Sequence, residues 1–460
     1  MSNSSYSKKL LHSLLQRGTK FLPFADAASV DLPLSRLLRL SLFQVSVGLA
    51  LALLIGTLNR VMIVELHVPA SWVSVMVAMP IVVAPFRAII GFSSDTHQSE
   101  LGWKRVPFIW RGTLVQFGGL AMMPFALLVL SGKGHAAEAP LWIGHLGAGI
   151  AFLLVGAGLH TTQTAGLALA TDLAPEESRP KVVGLMYVML LIGMMVSALG
   201  FGSFLSEFSP GRLIQVIQAS ALITIVLNII ALWKQENRVR IPLESRPKTE
   251  TFRDSWIRFS HGGQAIRRLI AVGLGTIAFS MEDILLEPYG GEILHLSVGA
   301  TTALTATLAL GGLFGFALAS NILSKGFDPF RMASLGALVG IPAFLSVIVS
   351  GQMDSMVMFA FGIFSIGFGA GLFGHGTLTA TMNLAPQGQS GLALGAWGAV
   401  QATAAGFAIA AGGIIRDVVD SAYQAPFGYD AVYAIEMGLL VITMITMIPL
   451  MKKLPQVIRV

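Results

Sequence analysis

The chain has 460 residues, of which 54% are hydrophobic and only 12% charged, with a mean hydropathy of +0.73 and a net charge of +6. Soluble domains carry about 25% charged residues, so the composition specifies an integral membrane protein. The absence of cysteine excludes disulfide frameworks, thiol catalysis, Cys-ligated zinc and iron–sulfur clusters, and the positive charge follows membrane topology rather than a nucleic-acid-binding face.

Residues 1–37 form a tail that lacks the apolar core and small-residue cleavage site of a signal peptide. Within it, residues 8–22 alternate basic and leucine-rich positions, which fits either a short interfacial helix on an anionic leaflet or a solvated tail. With about 20 apolar residues per span, twelve helices are predicted: 38–64, 70–92, 106–131, 141–171, 181–206, 212–234, 265–287, 297–323, 331–351, 355–382, 390–414 and 428–451. The polar stretch 235–264 links a six-helix unit (38–234) to a second one (265–453), and 454–460 is a short C-terminal tail. With the N-terminus inside, inner segments and helix ends hold 25 of the 30 Lys and Arg residues. Outer loops hold Lys133, Arg212 and Arg416, and Arg60 and Arg87 lie within spans. This bias predicts a multi-pass protein with both termini cytoplasmic.

The halves echo one another. Gly156-Ala-Gly-Leu159 before Leu173-Ala-Pro175 recurs as Gly369-Ala-Gly-Leu372 before Leu384-Ala-Pro386. Leu66-His-Val68 recurs as Leu294-His-Leu296, and Pro107-Phe108 as Pro329-Phe330. Three echoes in one helix order predict a duplicated unit. Two six-helix halves joined by a linker resemble the major facilitator superfamily, an all-α membrane fold with a midplane cavity. Gly91-Phe-Ser-Ser-Asp95 with Lys104-Arg105 is similar to that superfamily's loop motif, whereas Ser324-Lys-Gly-Phe-Asp328 is shorter and departs from it. Asp95, Lys104 and Arg105, with Asp172 and Arg179, are expected to form ion pairs of an inner gate. Gly311/Gly315, Gly367/Gly371 and Gly391/Gly395 have small-xxx-small spacing, expected to serve packing within the bundle.

The costliest stretch is Ser280-Met-Glu-Asp-Ile-Leu-Leu-Glu-Pro-Tyr-Gly-Gly291 in the seventh span. A charge at bilayer depth costs roughly 2.5–3.5 kcal/mol on insertion scales, so Glu282, Asp283 and Glu287 must face protein or a wet cavity. Pro288 removes a backbone donor, and Gly290-Gly291 is expected to loosen the helix end. Arg60, near the outer end of the first span, is expected to pair with Glu282 or Asp283 across the cavity, as a gate or as a tie between halves. The alternative, Arg60 with Glu65, is five residues apart and poorly aligned on an α-helix. Glu436 in the twelfth span shows no partner in the sequence and is read as facing a cavity.

Several long blocks carry a narrower resemblance: Leu40-Ser-Leu-Phe-Gln-Val-Ser-Val-Gly48, Gly56-Thr-Leu-Asn-Arg-Val-Met-Ile-Val-Glu-Leu66 and Pro85-Phe-Arg-Ala-Ile-Ile-Gly-Phe-Ser-Ser-Asp95. Leu101-Gly-Trp-Lys-Arg-Val-Pro-Phe-Ile109 and Glu282-Asp-Ile-Leu-Leu-Glu-Pro-Tyr-Gly-Gly291 complete them. Together they resemble the PucC/LhaA, or bacteriochlorophyll-delivery, family of purple phototrophic bacteria, over nearly the whole chain. The resemblance implies a non-enzymatic helper in light-harvesting antenna assembly that binds or hands over bacteriochlorophyll, with carotenoid as a second pigment class. Its implied partners are antenna polypeptides, the late steps of pigment synthesis and membrane lipids, in the intracytoplasmic photosynthetic membrane.

Bacteriochlorophyll needs an axial ligand on its magnesium, which a neutral imidazole supplies. His160 and His375, in the equivalent fourth and tenth spans, are the candidates at membrane depth; His67 and His295, in the echoed loops, are candidates at the surface, with His145 a weaker one. The competing reading is that each histidine bonds a neighbouring helix and the nearby glycines permit close packing. No catalytic constellation and no phosphate-cradling Gly-Lys-Ser/Thr loop is present. Two alternatives therefore stand beside pigment delivery: a proton-coupled transporter of a small solute using Glu282 or Asp283, and a pigment-free scaffold for antenna helices.

Overall fold

Where apolar runs exceed the thickness of a bilayer, the backbone must satisfy its own hydrogen bonds, and the chain does so as helices throughout. A computed structural model describes residues 32–84, 86–96, 102–132, 138–175, 178–236, 264–323, 325–383, 390–423 and 426–451. The interfacial-helix reading of residues 8–22, the linker from 237 to 263, Leu384-Ala-Pro386 and the C-terminal tail lie outside the described residues.

The first unit comprises α1 (Leu34–Glu65), α2 (Ala70–Ala78, continued after a 3-10 turn by Phe86–Thr96), α3 (Val106–Leu130), α4 (Leu141–Leu173), α5 (Arg179–Phe204) and α6 (Pro210–Leu232). The second comprises α7 (Ala265–Ala278, then Glu282–Ile284 and Leu286–Glu292), α8 (Val298–Leu323), α9 (Pro329–Gln352), α10 (Met356–Asn383), α11 (Ser390–Tyr423) and α12 (Phe427–Met447). Eleven of these spans are long and apolar enough to cross a membrane as described, and α2 is the short, broken one. Its 3-10 turn, Met79–Val82, contains Pro80, which cannot donate to a helical ladder. The eleventh helix runs nine residues beyond its predicted end, to Tyr423, and so takes Arg416 out of the loop predicted for it. Large apolar side chains such as Phe125, Val357 and Phe361 stay exposed, as a surface against lipid requires.

The halves meet along α5 against α8 and α2 against α11. On the far side of the bundle (the side on which α1 ends), Gly202 of α5 and Gly299 of α8 pack backbone to backbone. Gly413 of α11 lies against Ser74 and Ala70 of α2. Within the second half, Gly311 and Gly315 of α8 face the carbonyls of Phe364 and Phe368 on α10, while Gly367 and Gly371 face those of Leu308 and Gly312. These two small-residue pairs therefore serve intramolecular packing, as expected; the side chains of 391–395 are outside the described residues. The echoed Gly-Ala-Gly elements pack on equivalent helices in the two halves, but with their first and third glycines exchanged. Gly158 of α4 packs on Gly112 and Gln116 of α3, and Gly369 of α10 on Gly336 of α9.

The echoed loops share one turn geometry. His67 and His295 both adopt left-handed φ, 53° and 51°, a region in which histidine is enriched among non-glycine residues. The turns close with Val68 N–H on Met62 O and Leu296 N–H on Gly290 O, both at 2.9 Å.

A side chain at Gly315 would land on the Phe368 carbonyl, whereas Gly374 on α10 has open space around it. Gly315→Leu should lower the thermal midpoint of the detergent-solubilised protein by an amount corresponding to an overpacking cost of about 1–3 kcal/mol. Gly374→Ala should leave it unchanged.

Candidate functional site

The acidic stretch of α7 is held by a break placed upstream of where Pro288 suggests. The α-helix stops at Ala278, a 3-10 turn covers Glu282–Ile284, and the helix restarts at Leu286. Pro288 is the third residue of that restart, where its missing N–H has no helical partner to lose. Gly290-Gly291 fall in the last turn of that restart, which ends at Glu292, next to where the glycines suggest a helix end. Tyr289 anchors the segment: its ring packs edge-on against Tyr429 and Tyr433, and its hydroxyl donates to Val347 O at 3.2 Å.

The acids disperse to different partners. Glu287 is buried and accepts from Thr305 and, at 3.4 Å, from Thr302, with Gly56 of α1 leaving room for its carboxylate. Glu282 is buried, and its backbone N–H donates to Glu436 Oε1 at 2.9 Å; the Oε2 atoms of Glu282 and Glu436 have no hydrogen-bond partner. Glu436 is thus no lone cavity residue but the acceptor for the exposed amide at the break. Asn59 of α1 donates to the carbonyls of Asp283 and Ile284 at 3.4 and 3.2 Å.

The expected Arg60 pair with Glu282 or Asp283 is not formed. Arg60 donates to Glu65 Oε1 at 2.5 Å and to Leu296 O at 3.1 Å. The i, i+5 geometry fails on an α-helix, but α1 ends in a π-helical segment, Val61–Glu65, whose hydrogen bonds themselves run i to i+5 and bring residues five apart onto one face. Arg60 still bridges the halves, through the Leu296 carbonyl.

A second ionic group sits beside this one. Arg416 binds Glu292 Oε2 at 2.5 Å, Asp417 Oδ1 at 2.8 Å and Asp420 Oδ2 at 3.1 Å, with its guanidinium 4.8 Å from the Tyr429 ring centroid. Asp417 Oδ2 accepts from Ser71 N–H at 2.6 Å, so α11 caps the first turn of α2 across the two halves. The i, i+4 spacing of Arg416 and Asp420 was available in the sequence, but a shorter predicted helix hid it.

On the near side, Arg105 pairs with Asp172 at 3.1 Å and donates to Ser94 Oγ at 2.5 Å. The start of α3 is capped by Glu236, which accepts from the amides of Lys104, Arg105 and Val106 at 2.8–3.1 Å. All these groups belong to the first half, so this cluster ties α2, α3, α4 and the end of α6 together. Asp95 lies on the second segment of α2 and Arg179 opens α5, with both side chains outside the described residues.

Between these layers lies a polar group on the inner surface of the first half. Arg87 donates to Gln163 Oε1 at 2.9 Å and Thr164 Oγ1 at 3.1 Å, and Gln163 donates to Gln44 Oε1 at 3.4 Å. His160, one turn before Gln163 and Thr164 on α4, is half-buried, and its Nδ1 has no hydrogen-bond partner. Tyr187 of α5 is close enough to interact with the Arg87 charge. It also packs on Phe316 (6.3 Å) and Trp397 (6.2 Å) of the second half, so this group faces the seam.

His375 is placed differently. It is buried, with its ring centroid 4.3 Å from that of Phe316. His67 and His295 are exposed at the far side, where they shape turns, and His145 stacks on Trp72 at 5.7 Å. Among the described residues no group of three or more His, Cys, Asp or Glu is placed to hold a free metal ion.

Comparison with known proteins then decides the family. The family model described as PUCC protein matches residues 57–454. The chain belongs to the PucC family. It is 61% identical to Protein PucC of Rhodovulum sulfidophilum over 90% of this chain and 92% of that one. It is 56% identical to Protein PucC of Cereibacter sphaeroides, over 96% and 98%. A more distant relative, at 28% over 81% and 85%, is the bacteriochlorophyll synthase 44.5 kDa chain of Rhodobacter capsulatus. Among solved structures, the nucleoside transporter NupG matches with a TM-score of 0.65 at 14% identity, covering 91% of this chain and all of that one. A bacterial homologue of the iron transporter ferroportin, in an inward-facing state, matches at 0.64 and 14%, covering 92% and 99%. These likenesses show that this PucC-family chain has the major facilitator fold.

The pairing of Arg60 has a direct test. Its side chain is 4% exposed and that of Glu65 35% exposed. Removing one partner of a buried pair typically costs 3–5 kcal/mol, a figure the exposure of Glu65 reduces toward the surface range of about 1 kcal/mol. Glu65→Gln should therefore lower the thermal midpoint more than Asp283→Asn does. The reverse order would restore the cross-cavity pair.

Proposed function

We propose that this chain is an assembly factor for photosynthetic antenna complexes that binds bacteriochlorophyll between its two halves and passes it to antenna polypeptides. It works without catalysis, in the inner photosynthetic membrane, with the near side cytoplasmic, as the Lys and Arg bias favours. The observation that carries this reading is His160: a mid-span imidazole on the seam-facing side of α4 whose Nδ1 has no hydrogen-bond partner.

The residues fit the pigment at one of the two predicted membrane-depth histidines. In this reading His160 would hold the pigment, giving a neutral nitrogen to the magnesium that bacteriochlorophyll would supply. Tyr187, Phe316 and Trp397 offer an aromatic wall near it. His375 touches the same wall through Phe316 but is more deeply buried than His160, so it is the second candidate ligand.

The test is an absorption spectrum of protein purified in mild detergent from a pigment-producing strain that lacks antenna polypeptides. Wild type and His375→Ala should carry a near-infrared band at near-stoichiometric amount, and His160→Ala should lose or shift it. A colourless, well-folded wild type would contradict pigment binding.

The break in α7 favours a second reading, proton-coupled transport of a small solute. Discontinuous helices line the binding sites of many transporters, and the unpartnered oxygens of Glu282 and Glu436 flank this one. In that reading Glu282→Gln or Glu436→Gln abolishes solute-driven proton uptake in proteoliposomes and leaves pigment content unaffected. Assembly-factor function predicts no such uptake by the wild type.

A further inference from the structure

Arg87 is a guanidinium inside a membrane protein, yet among the described residues it meets no carboxylate. Its side-chain hydrogen-bond partners are neutral, Gln163 and Thr164. The contrast within this chain is sharp: Arg60, Arg105 and Arg416 each bind at least one acid. A cation at bilayer depth without a counter-charge is costly, and such a charge is accounted for when a ligand supplies the anion. The setting supports this. The Arg87 side chain is half-buried rather than sealed, and it lies close to Tyr187, which touches the second half. Through Gln163 and Thr164, Arg87 is held one helical turn from His160, the imidazole with the unpartnered Nδ1.

The two groups read different parts of one molecule. Gln163 and Thr164, which hold Arg87, sit one helical turn from His160, about 5–6 Å between Cβ atoms. With the reach of both side chains added, this is the scale from the metal of a tetrapyrrole to a carboxylate on its rim. A planar guanidinium suits a carboxylate through two parallel hydrogen bonds. An esterified pigment hides that carboxylate and offers only a neutral carbonyl. We infer that the site recognises a metallo-tetrapyrrole as its free acid, with the carboxylate on Arg87 and the metal on His160. This rests on the pigment-binding reading above and amends its hand-over: the molecule held by His160 and Arg87 is the unesterified precursor, which gains its tail before the finished pigment reaches antenna polypeptides. The ligand comes from a step before esterification of the ring's carboxyl group, and the reaction that consumes it adds the hydrocarbon tail.

The test uses the full chain purified in mild detergent from a host without tetrapyrrole pigments. It is titrated with zinc pheophorbide a and, separately, with the methyl ester of the same zinc complex, and binding is followed by absorption and fluorescence. Wild type should bind the acid at least tenfold more tightly than the ester. Arg87→Gln should bring the two affinities together by weakening the acid far more than the ester, and Arg87→Lys should keep part of the preference. Equal affinity for acid and ester in the wild type, a comparison that needs no variant to fold, would overturn the free-acid inference while leaving pigment binding intact. A preference that survives Arg87→Gln would overturn the assignment to Arg87. Failure of both probes to bind would overturn this inference and the pigment reading together.

Discussion

The structure is governed by the cost of placing charge and open backbone where lipid offers no hydrogen bonds. Acids and arginines within the spans are tolerated because helices from both halves converge on them. Glu287 is taken by threonines of α8, with a glycine of α1 giving it room. Arg60 is held by Glu65 and a carbonyl of the second half, and Arg416 by three carboxylates. These contacts also hold the two halves together on the far side, where Asp417 caps α2 and glycines let α5 meet α8. The ionic groups and the close backbone packing therefore act on the same seam.

Against that background, the departures stand out. Among the described residues with unpartnered polar atoms or uncompensated charge, two sets bring titratable groups together: Glu282 with Glu436 at the break in α7, and Arg87 with His160 on the inner surface of the first half. The first resembles the broken-helix sites of transporters, consistent with the fold that this chain shares with them. The second is better suited to a large flat ligand, since it faces an aromatic wall from the opposite half. A facilitator scaffold that places an imidazole and a guanidinium on one side of its seam has the groups that the proposed pigment carrier requires.

Much of the architecture was legible from hydropathy alone, because length and apolarity decide which segments span. The duplication was legible too: the paired Leu-His loops fold into the same left-handed turn, and the Gly-Ala-Gly elements pack on equivalent helices, though through exchanged glycines. What escaped sequence reasoning was backbone irregularity. The π-helical end of α1 makes Arg60 and Glu65 neighbours, a pairing that α-helical spacing argues against. The break before Glu282 precedes the proline and glycines that advertised one, and it exposes the amide that Glu436 binds. Glu236 was equally hidden, since a residue at the edge of a polar linker gives no sign that it caps a helix begun 130 residues earlier. Periodicity reads regular helices well and their defects poorly, and the polar partners gather at the defects.

The most direct test of the account is chemical rescue at His160. Protein carrying His160→Gly, loaded with bacteriochlorophyll in detergent, is titrated with free imidazole while the near-infrared band and the magnesium coordination number by resonance Raman are recorded. If His160 is the axial ligand, the band and five-coordinate magnesium are lost in the variant and return on imidazole addition. If the variant holds five-coordinate pigment without imidazole, another residue ligates the metal, and the site assigned to the seam-facing surface of the first half is wrong.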